Sequence, residues 1–298
     1  MLIEKIKSKR DQLPIELTVI EPVGMPVGIV QLIHGMAEHK ERYYDFMQYL
    51  ADNGYVCVIH DHRGHGASIR DTSHLGYFYT EDSSVIVDDA FQVTEYIKNK
   101  YGSLKVYLFS HSMGTLVSRN YLKKFDNQID RLVLCGPPTK NGLVNLALLL
   151  AKISKLFYCK YAPNHFLDTL SLGPYNKGYT EKNNWICTDS DIVSAYNEDT
   201  LCGFVFTTNG FINLYKLLKS AFNSKDWTPQ NSRLPILLIA GADDPVIQSK
   251  KKFHALEKFL NDVGYKNIIC RLYENKRHEL LNEKERQYIY KDILGFIE

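Results

Sequence analysis

The sequence lacks any long hydrophobic run. Among its 298 residues no stretch approaches the roughly 20 apolar residues that a helix needs to cross a bilayer. The longest candidate, residues 143–153, is too short and includes Asn145 and Lys152. The first ten residues mix Lys and Glu with Leu and Ile, unlike a signal peptide. From these absences we expect neither a membrane span nor an export signal.

The chain also lacks an excess of charge of either sign. Its 36 Lys and Arg residues nearly balance 34 Asp and Glu, and no basic block occurs. Composition therefore gives no support for a nucleic-acid partner. The six cysteines have no CxxC spacing that would indicate a zinc site, and they are too scattered for a disulfide framework. Such cysteines are typical of reduced thiols, so we expect a cytoplasmic protein.

Short β-rich runs alternate with helical patterns over most of the chain. This pattern favours an α/β fold with a mostly parallel central sheet flanked by helices. The predicted strands lie at residues 15–20, 28–33, 55–59, 105–109, 132–135, 236–240 and 267–272. The alternation stops after Gly136, where we expect only an apolar helix over 142–156, loops, and a helix over 211–222. We therefore predict a core of residues 1–136 and 232–298 with an inserted, mainly helical cap, 137–231.

Residues 110–114 read Ser-His-Ser-Met-Gly and stand between a predicted strand and a predicted helix. A nucleophile elbow requires this context, because the serine sits on a sharp, strained turn whose flanking positions must be small. Gly114 meets that requirement, and Ser110 replaces the usual first glycine with another small residue. The pattern predicts Ser112 as a nucleophile.

A nucleophilic serine needs a base to take its proton and a carboxylate to orient that base. In folds of this kind the chain order is serine, acid, histidine. Asp243 and Asp244 lie in the loop after strand 236–240, and His278 lies in the loop after strand 267–272. Both loops are at the carboxyl edge of the sheet, where such folds hold their sites. His278 is the predicted base. Asp244 is favoured as the acid because Asp243 can cap the turn, and Asp243 stays the alternative.

The tetrahedral oxyanion of acyl transfer needs two backbone N–H donors. Met113, directly after the predicted nucleophile, supplies one. The loop over residues 34–39, after an early strand, is placed to supply the other. Gly35 lets this loop bend toward the site, so the N–H of Met36 is the predicted second donor. Glu38 and His39 stand beside it, and we expect them to shape the loop by hydrogen bonding rather than to act as acid or base.

Four segments of the chain carry a family resemblance. They are residues 34–39 (His-Gly-Met-Ala-Glu-His), 61–68 (Asp-His-Arg-Gly-His-Gly-Ala-Ser), 110–114, and 278–283 (His-Glu-Leu-Leu-Asn-Glu). Together they resemble the monoacylglycerol lipase and lysophospholipase group of α/β-hydrolases, which also carries a serine aminopeptidase label. Residues 196–204 are similar to a Tyr…Asp-Pro-Leu-Cys-Gly-Phe stretch of bacterial members, with Thr200 where proline is usual.

The resemblance implies a serine ester hydrolase that works through an acyl-enzyme and needs neither a metal nor an organic cofactor. It favours a lipid monoester substrate, either a monoacylglycerol or a lysophospholipid. A short-chain carboxylesterase, a serine aminopeptidase and a non-catalytic binding protein are the alternatives, in that order. His60, His62 and His65 are closely spaced, and closely spaced histidines occur in metal sites. The resemblance instead favours a structural role for the loop that carries them.

The apolar helix over residues 142–156 has two interpretations. It is either a lid whose apolar face touches lipid or admits an acyl chain, or a helix that packs on the rest of the cap. The resemblance favours a deep apolar pocket beneath the cap, since the family binds single acyl chains. Transient contact with a membrane surface through the cap stays open, and the sequence does not predict an oligomeric state.

Overall fold

Eight strands form one sheet in this computed structural model, which describes residues 1–298. The strands are β1 (Leu2–Lys7), β2 (Pro14–Ile20), β3 (Gly28–Ile33), β4 (Tyr55–His60), β5 (Val106–His111), β6 (Arg131–Cys135), β7 (Pro235–Gly241) and β8 (Asn267–Tyr273). Their spatial order is β1-β2-β4-β3-β5-β6-β7-β8. The pairs β1–β2 and β2–β4 are antiparallel, and every other pair is parallel. The predicted α/β-hydrolase fold with a mostly parallel sheet is confirmed.

Nine α-helices accompany the sheet. They are α1 (Tyr44–Asp52), α2 (Ser84–Tyr101), α3 (Met113–Phe125), α4 (Val144–Ser154), α5 (His165–Ser171), α6 (Ser190–Glu198), α7 (Thr208–Ala221), α8 (Lys250–Asp262) and α9 (Gln287–Ile297). The apolar faces of α1 and α9 share a buried cluster on one side of the sheet. Those of α2, α3 and α8 share a larger cluster on the other side.

The central strand β3 shows why the sheet is buried on both faces. Ile29 and Ile33 point into the larger cluster, whereas Val30 and Leu32 point into the smaller one. Side chains of a strand alternate between faces, so a parallel strand covered by helices on both sides is apolar throughout. Its one polar residue, Gln31, is buried and satisfied, since it donates to the Ala90 carbonyl of α2 and accepts from a threonine hydroxyl of the same helix.

Residues 137–231, which we call the insert, connect β6 to β7. They contain α4, α5, α6 and α7 and none of the sheet strands. Helix α7 packs on both α3 and α4, so it joins the insert to the remainder of the molecule. The division of the chain into a core and a separate cap stays a prediction. No helix in the structure has the length and apolarity needed to cross a membrane.

Three elements were not predicted from the sequence. The chain begins with the edge strand β1, and the insert contains the short helices α5 and α6 where loops were expected. Side-chain oxygens of Asn164 and Asp189 cap these two helices, accepting from the N–H groups of Leu167 and Asp191. These capping residues were the available signal in the sequence.

Candidate active site

Ser112 occupies the sharp turn between β5 and α3. Its backbone has φ 49° and ψ −119°, a strained conformation for a residue other than glycine. A Cβ atom on Gly114 would lie 2.3 Å from the Ile33 carbonyl oxygen, so only glycine allows α3 to approach β3 this closely. Ser110 is fully buried, and its hydroxyl donates to the Val133 carbonyl at 3.2 Å. The turn therefore has the form that the Ser-His-Ser-Met-Gly pattern predicts.

His278 and Asp244 meet at the carboxyl edge of the sheet, after β8 and β7. His278 Nδ1 lies 2.8 Å from Asp244 Oδ2, and both side chains are buried. The other carboxylate oxygen, Oδ1, accepts from the Val246 N–H at 2.8 Å. We expected Asp243 to cap the turn, and this expectation is wrong. Asp243 is exposed, and Asp244 both caps the turn and contacts the histidine.

Ser112 and His278 line one pocket together with Met36 and Met113. No hydrogen bond joins the Ser112 hydroxyl to the His278 ring in this structure, whereas Asp244 already holds the other ring nitrogen. Hydrogen bonds between a nucleophile and its base are often long without substrate and tighten in the complex. The structure thus brings all the residues predicted for the site to one place, with the acid and base in direct contact.

The 34–39 loop borders the serine. A Cβ atom on Gly35 would lie 3.1 Å from Ser112 Cβ, which shows how closely this backbone passes the serine. The Gly35 N–H donates to the Glu38 carboxylate, and the Ala37 N–H donates to His65 Nε2 at 3.3 Å. The intervening Met36 N–H has no acceptor within the protein. An uncommitted N–H beside the serine is what an oxyanion donor requires.

Glu38 is the centre of a buried network behind this loop. Its Oε1 accepts from the Tyr43 hydroxyl at 2.8 Å and lies 3.1 Å from His111 Nδ1. Burial alone would raise the Glu38 pKa, but the hydrogen bond and charge of His111, together with the charge of Arg42, outweigh burial and hold that pKa well below its ordinary value. Burial alone would lower the pKa of His111, and Glu38 raises it instead. The predicted loop-shaping role of Glu38 matches these contacts.

Arg42 extends the network to the loop that carries the predicted base. It donates to Glu38 Oε2 at 2.8 Å and makes two parallel bonds of 2.7 Å to the carboxylate of Glu279, the residue after His278. Paired bonds of this kind fix orientation as well as distance. Sequence reasoning missed Arg42 and Glu279. The spacing of Glu38 and Arg42, four residues apart, was the only local signal.

The histidines of the 60–65 segment pack against one another and against His34. His62 donates its backbone N–H to His34 Nε2 at 2.9 Å, and the rings of His34 and His62 lie 4.3 Å apart. Burial lowers the pKa of His60 to about 4 and that of His62 and His65 to about 3, so the three rings are neutral at pH 7. These contacts give the rings a structural place beneath the 34–39 loop.

The pocket above Ser112 has a volume of about 470 Å³ and is roofed by the insert. Most of its apolar lining comes from four parts of the insert: residues 143–150, 170–175, 185–186 and 204–218. The indole of Trp185 lies 5.3 Å from the His278 ring. A concave, mainly apolar cavity of this size with a few convergent polar groups is typical of a small-molecule site.

Comparison with known proteins shows what this chain is similar to. The sequence profile of the family described as "Serine aminopeptidase, S33" matches residues 24–285. Phospholipase YtpA of Bacillus subtilis is 26% identical over 91% of this chain and 95% of its own length. Monoacylglycerol lipase of Mycolicibacterium smegmatis is 25% identical over 91% of this chain and 88% of its own length. A thermostable carboxyl esterase from Bacillus coagulans superposes with a TM-score of 0.89 and 24% identity, over 100% of this chain and 98% of that one.

Proposed function

Because the chain belongs to the serine aminopeptidase S33 family of α/β-hydrolases, we propose that Ser112, His278 and Asp244 are its catalytic triad and a lipid monoester its substrate. The chain is an ester hydrolase of the carboxylesterase and lipase class. Among lipid monoesters, a monoacylglycerol and a lysophospholipid are the two candidates. The relative from Mycolicibacterium is named for monoacylglycerol hydrolysis and the relative from Bacillus for phospholipid hydrolysis, which supports these two candidates.

The mechanism follows from the roles of the three side chains. His278 takes the Ser112 proton as the hydroxyl attacks the ester carbonyl, and it then gives that proton to the leaving alcohol. Asp244 holds Nδ1 of the ring and stabilises the imidazolium that forms. The N–H groups of Met36 and Met113 stabilise the oxyanion, each contributing about 2.7–4 kcal/mol. Water then attacks the acyl-enzyme by the same route and releases the acid.

The apolar pocket is the observation that carries the substrate assignment. It extends from Ser112 beneath the insert, and leucines of α4 and α7 line it. Each buried methylene contributes about 0.8 kcal/mol, which corresponds to about fourfold in kcat/KM for each methylene added to an acyl chain that stays within the pocket. A pocket of this kind favours an acyl chain over the acetyl group of a small ester.

We further propose a transient membrane contact on the outer face of α4. Leu149 and Ile153 are 54% and 46% exposed and do not line the pocket. The next residue after Leu149, Leu150, does line the pocket. Leu156 and Phe157, in the turn after α4, are about four-fifths exposed. An exposed apolar face beside the roof of the pocket suits an enzyme that takes its substrate from a lipid surface.

Aminopeptidase activity is the second candidate function, and one observation favours it. Asp168 lines the pocket, is half-buried and makes no side-chain hydrogen bond. Burial raises the pKa of its carboxyl group. A carboxylate there is able to bind the free amine of a peptide. An assay of aminoacyl p-nitroanilides beside p-nitrophenyl esters separates the two, and we expect hydrolysis of the esters only.

Labelling with a fluorophosphonate tests the nucleophile. We expect one adduct on the tryptic peptide that contains Ser112 and none in Ser112→Ala. Ser110→Ala is the matched control, since it removes a neighbouring hydroxyl that is bonded to a carbonyl and buried, and it should still be labelled. A folded wild-type protein that stays unlabelled, or a labelled Ser112→Ala variant, contradicts the proposal.

A further inference from the structure

A cluster of three metal-ligating side chains lies outside the triad, where the 34–39 loop meets the insert. His39 Nε2 is 2.8 Å from Asp199 Oδ2. The Cys202 sulfur completes the group, and one ligand atom from each residue lies within 4.8 Å of the other two. His39 and Cys202 are buried, and the Asp199 side chain is 33% exposed. The mechanism uses none of these three groups.

We infer that His39, Asp199 and Cys202 form a Zn²⁺ site that fastens the insert to the 34–39 loop. Imidazole, carboxylate and thiolate are the ligands that zinc takes in proteins. The three side chains would leave the fourth coordination position of the ion for water, and the partly exposed Asp199 side chain gives water access to that position. Tetrahedral bonds of about 2.0–2.2 Å separate nitrogen and oxygen ligands by about 3.3 Å. The hydrogen bond from His39 to Asp199 would therefore open by about 0.5 Å.

The two segments that the ion would join already touch. The Gly203 N–H donates to the Ala37 carbonyl at 2.9 Å, and the Tyr196 hydroxyl donates to the same oxygen at 3.0 Å. Ala37 holds a positive φ of 51° and lies next to Met36. An ion bound by His39, Asp199 and Cys202 adds cross-links at this junction. The bound ion consequently restrains two segments, the insert that roofs the pocket and the 34–39 loop beside Ser112.

Titration of the purified full chain with Co²⁺ tests the site, because a cysteine ligand gives a sulfur-to-cobalt charge-transfer band in the near ultraviolet. We expect a band that saturates at one ion per chain and disappears when Zn²⁺ is added. Cys202→Ser should abolish it, and Asp199→Asn should weaken cobalt binding at least tenfold. Cys159→Ser removes an exposed cysteine elsewhere in the insert and should leave the band unchanged. The melting temperature and ester hydrolysis of each metal-free variant verify that it is folded.

Thermal unfolding and limited proteolysis test whether the ion restrains the insert. Zn²⁺ should raise the melting temperature of the wild type by several degrees and slow proteolysis within residues 137–231, with EDTA reversing both effects. Neither effect should occur in Cys202→Ser. A wild type without the cobalt band, or a band that survives in Cys202→Ser, overturns the site. Zinc that binds without protecting the insert overturns the restraint.

Discussion

At the scale of single residues, the two adjacent carboxylates after β7 differ sharply in their surroundings. Asp244 is buried against His278, whereas Asp243 is exposed. Asp244→Asn keeps the size of the side chain but removes the charge and favours the wrong tautomer of the histidine, so we expect kcat to fall by about 10⁴. Asp243→Asn should change kcat by less than about twofold. Steady-state kinetics on one p-nitrophenyl ester compares them, and equal effects of the two substitutions contradict the assignment of Asp244.

The pair of Glu38 and His111 makes stability depend on pH in a defined direction. The pKa of His111 is raised above 6.5, so its contribution is complete below pH 6.5 and is lost as the pH rises through the folded-state pKa. The pKa of Glu38 is lowered below 4.5, so its contribution is present above pH 4.5 and is lost as the pH falls through the folded-state pKa. The pair therefore stabilises the fold most between pH 4.5 and 6.5.

We expect His111→Asn to lower the free energy of unfolding most in that range and less at pH 9. Urea unfolding at pH 5.5 and pH 9 measures the difference. His254→Asn, at an exposed site on α8, is the control and should change the free energy by less than about 0.5 kcal/mol at either pH. A His111→Asn effect that is larger at pH 9 than at pH 5.5 would show that the pair does not act as described.

The three residues of the proposed triad were predictable because each has a local signature. Ser112 stands between small residues at an elbow, and His278 and Asp244 follow apolar strands. The bidentate pair of Arg42 and Glu279 was not predictable, since its partners are 237 positions apart and meet only when the sheet is assembled. The double role of Asp244 was also hidden, because either carboxylate satisfies the sequence pattern of a capped turn.

At the scale of elements, the approach of α3 to β3 depends on Gly114. Gly114→Ala places a methyl group 2.3 Å from a backbone oxygen that cannot move aside, and we expect a loss of about 1–3 kcal/mol of unfolding free energy. Gly295→Ala on α9 is the control. A Cβ atom there has no neighbour within 4 Å, so alanine should add about 0.5–1 kcal/mol through helix propensity. Urea unfolding measures both, and a tolerated Gly114→Ala contradicts the packing described.

A substitution on the outer face of α4 tests the proposed membrane contact separately from catalysis. Leu149→Glu removes a side chain whose burial contributes about 1.5–3 kcal/mol, so binding to vesicles should weaken about tenfold or more. Hydrolysis of a monoacylglycerol presented in vesicles should fall, and hydrolysis of soluble p-nitrophenyl butyrate should not. Val23→Glu, at a fully exposed apolar residue outside the insert, should change neither activity. Equal losses for Leu149→Glu and Val23→Glu would rule out a contact specific to α4.

Elements with strong local patterns were predicted within a few residues, and those stabilised by distant contacts were not. Strand β3 matches the predicted strand 28–33, and α3 follows the elbow at Ser112 as predicted, because an apolar run marks the strand and a turn signal marks the start of the helix. Strand β1 was missed because its side chains are largely exposed and its order comes from pairing with β2. Helices α5 and α6 have only seven and nine residues, too few for a clear periodic pattern.

At the scale of the whole molecule, the sheet edge, the 34–39 loop and the insert act together. The sheet holds Ser112, Asp244 and His278, the loop offers the Met36 N–H, and the insert closes an apolar cavity above them. Under the proposed function, this cavity selects substrates by the length of their acyl chain, and every acyl chain reacts at Ser112.

The most direct test is kcat/KM on p-nitrophenyl esters from acetate to palmitate, for the wild type and Ser112→Ala. We predict a rise from acetate to medium or long chains, followed by a plateau where the pocket is filled, and a loss of at least about 10⁴-fold in Ser112→Ala at every length. Activity confined to acetate and butyrate would contradict the acyl-chain pocket. Activity that persists in Ser112→Ala would contradict the acyl-enzyme.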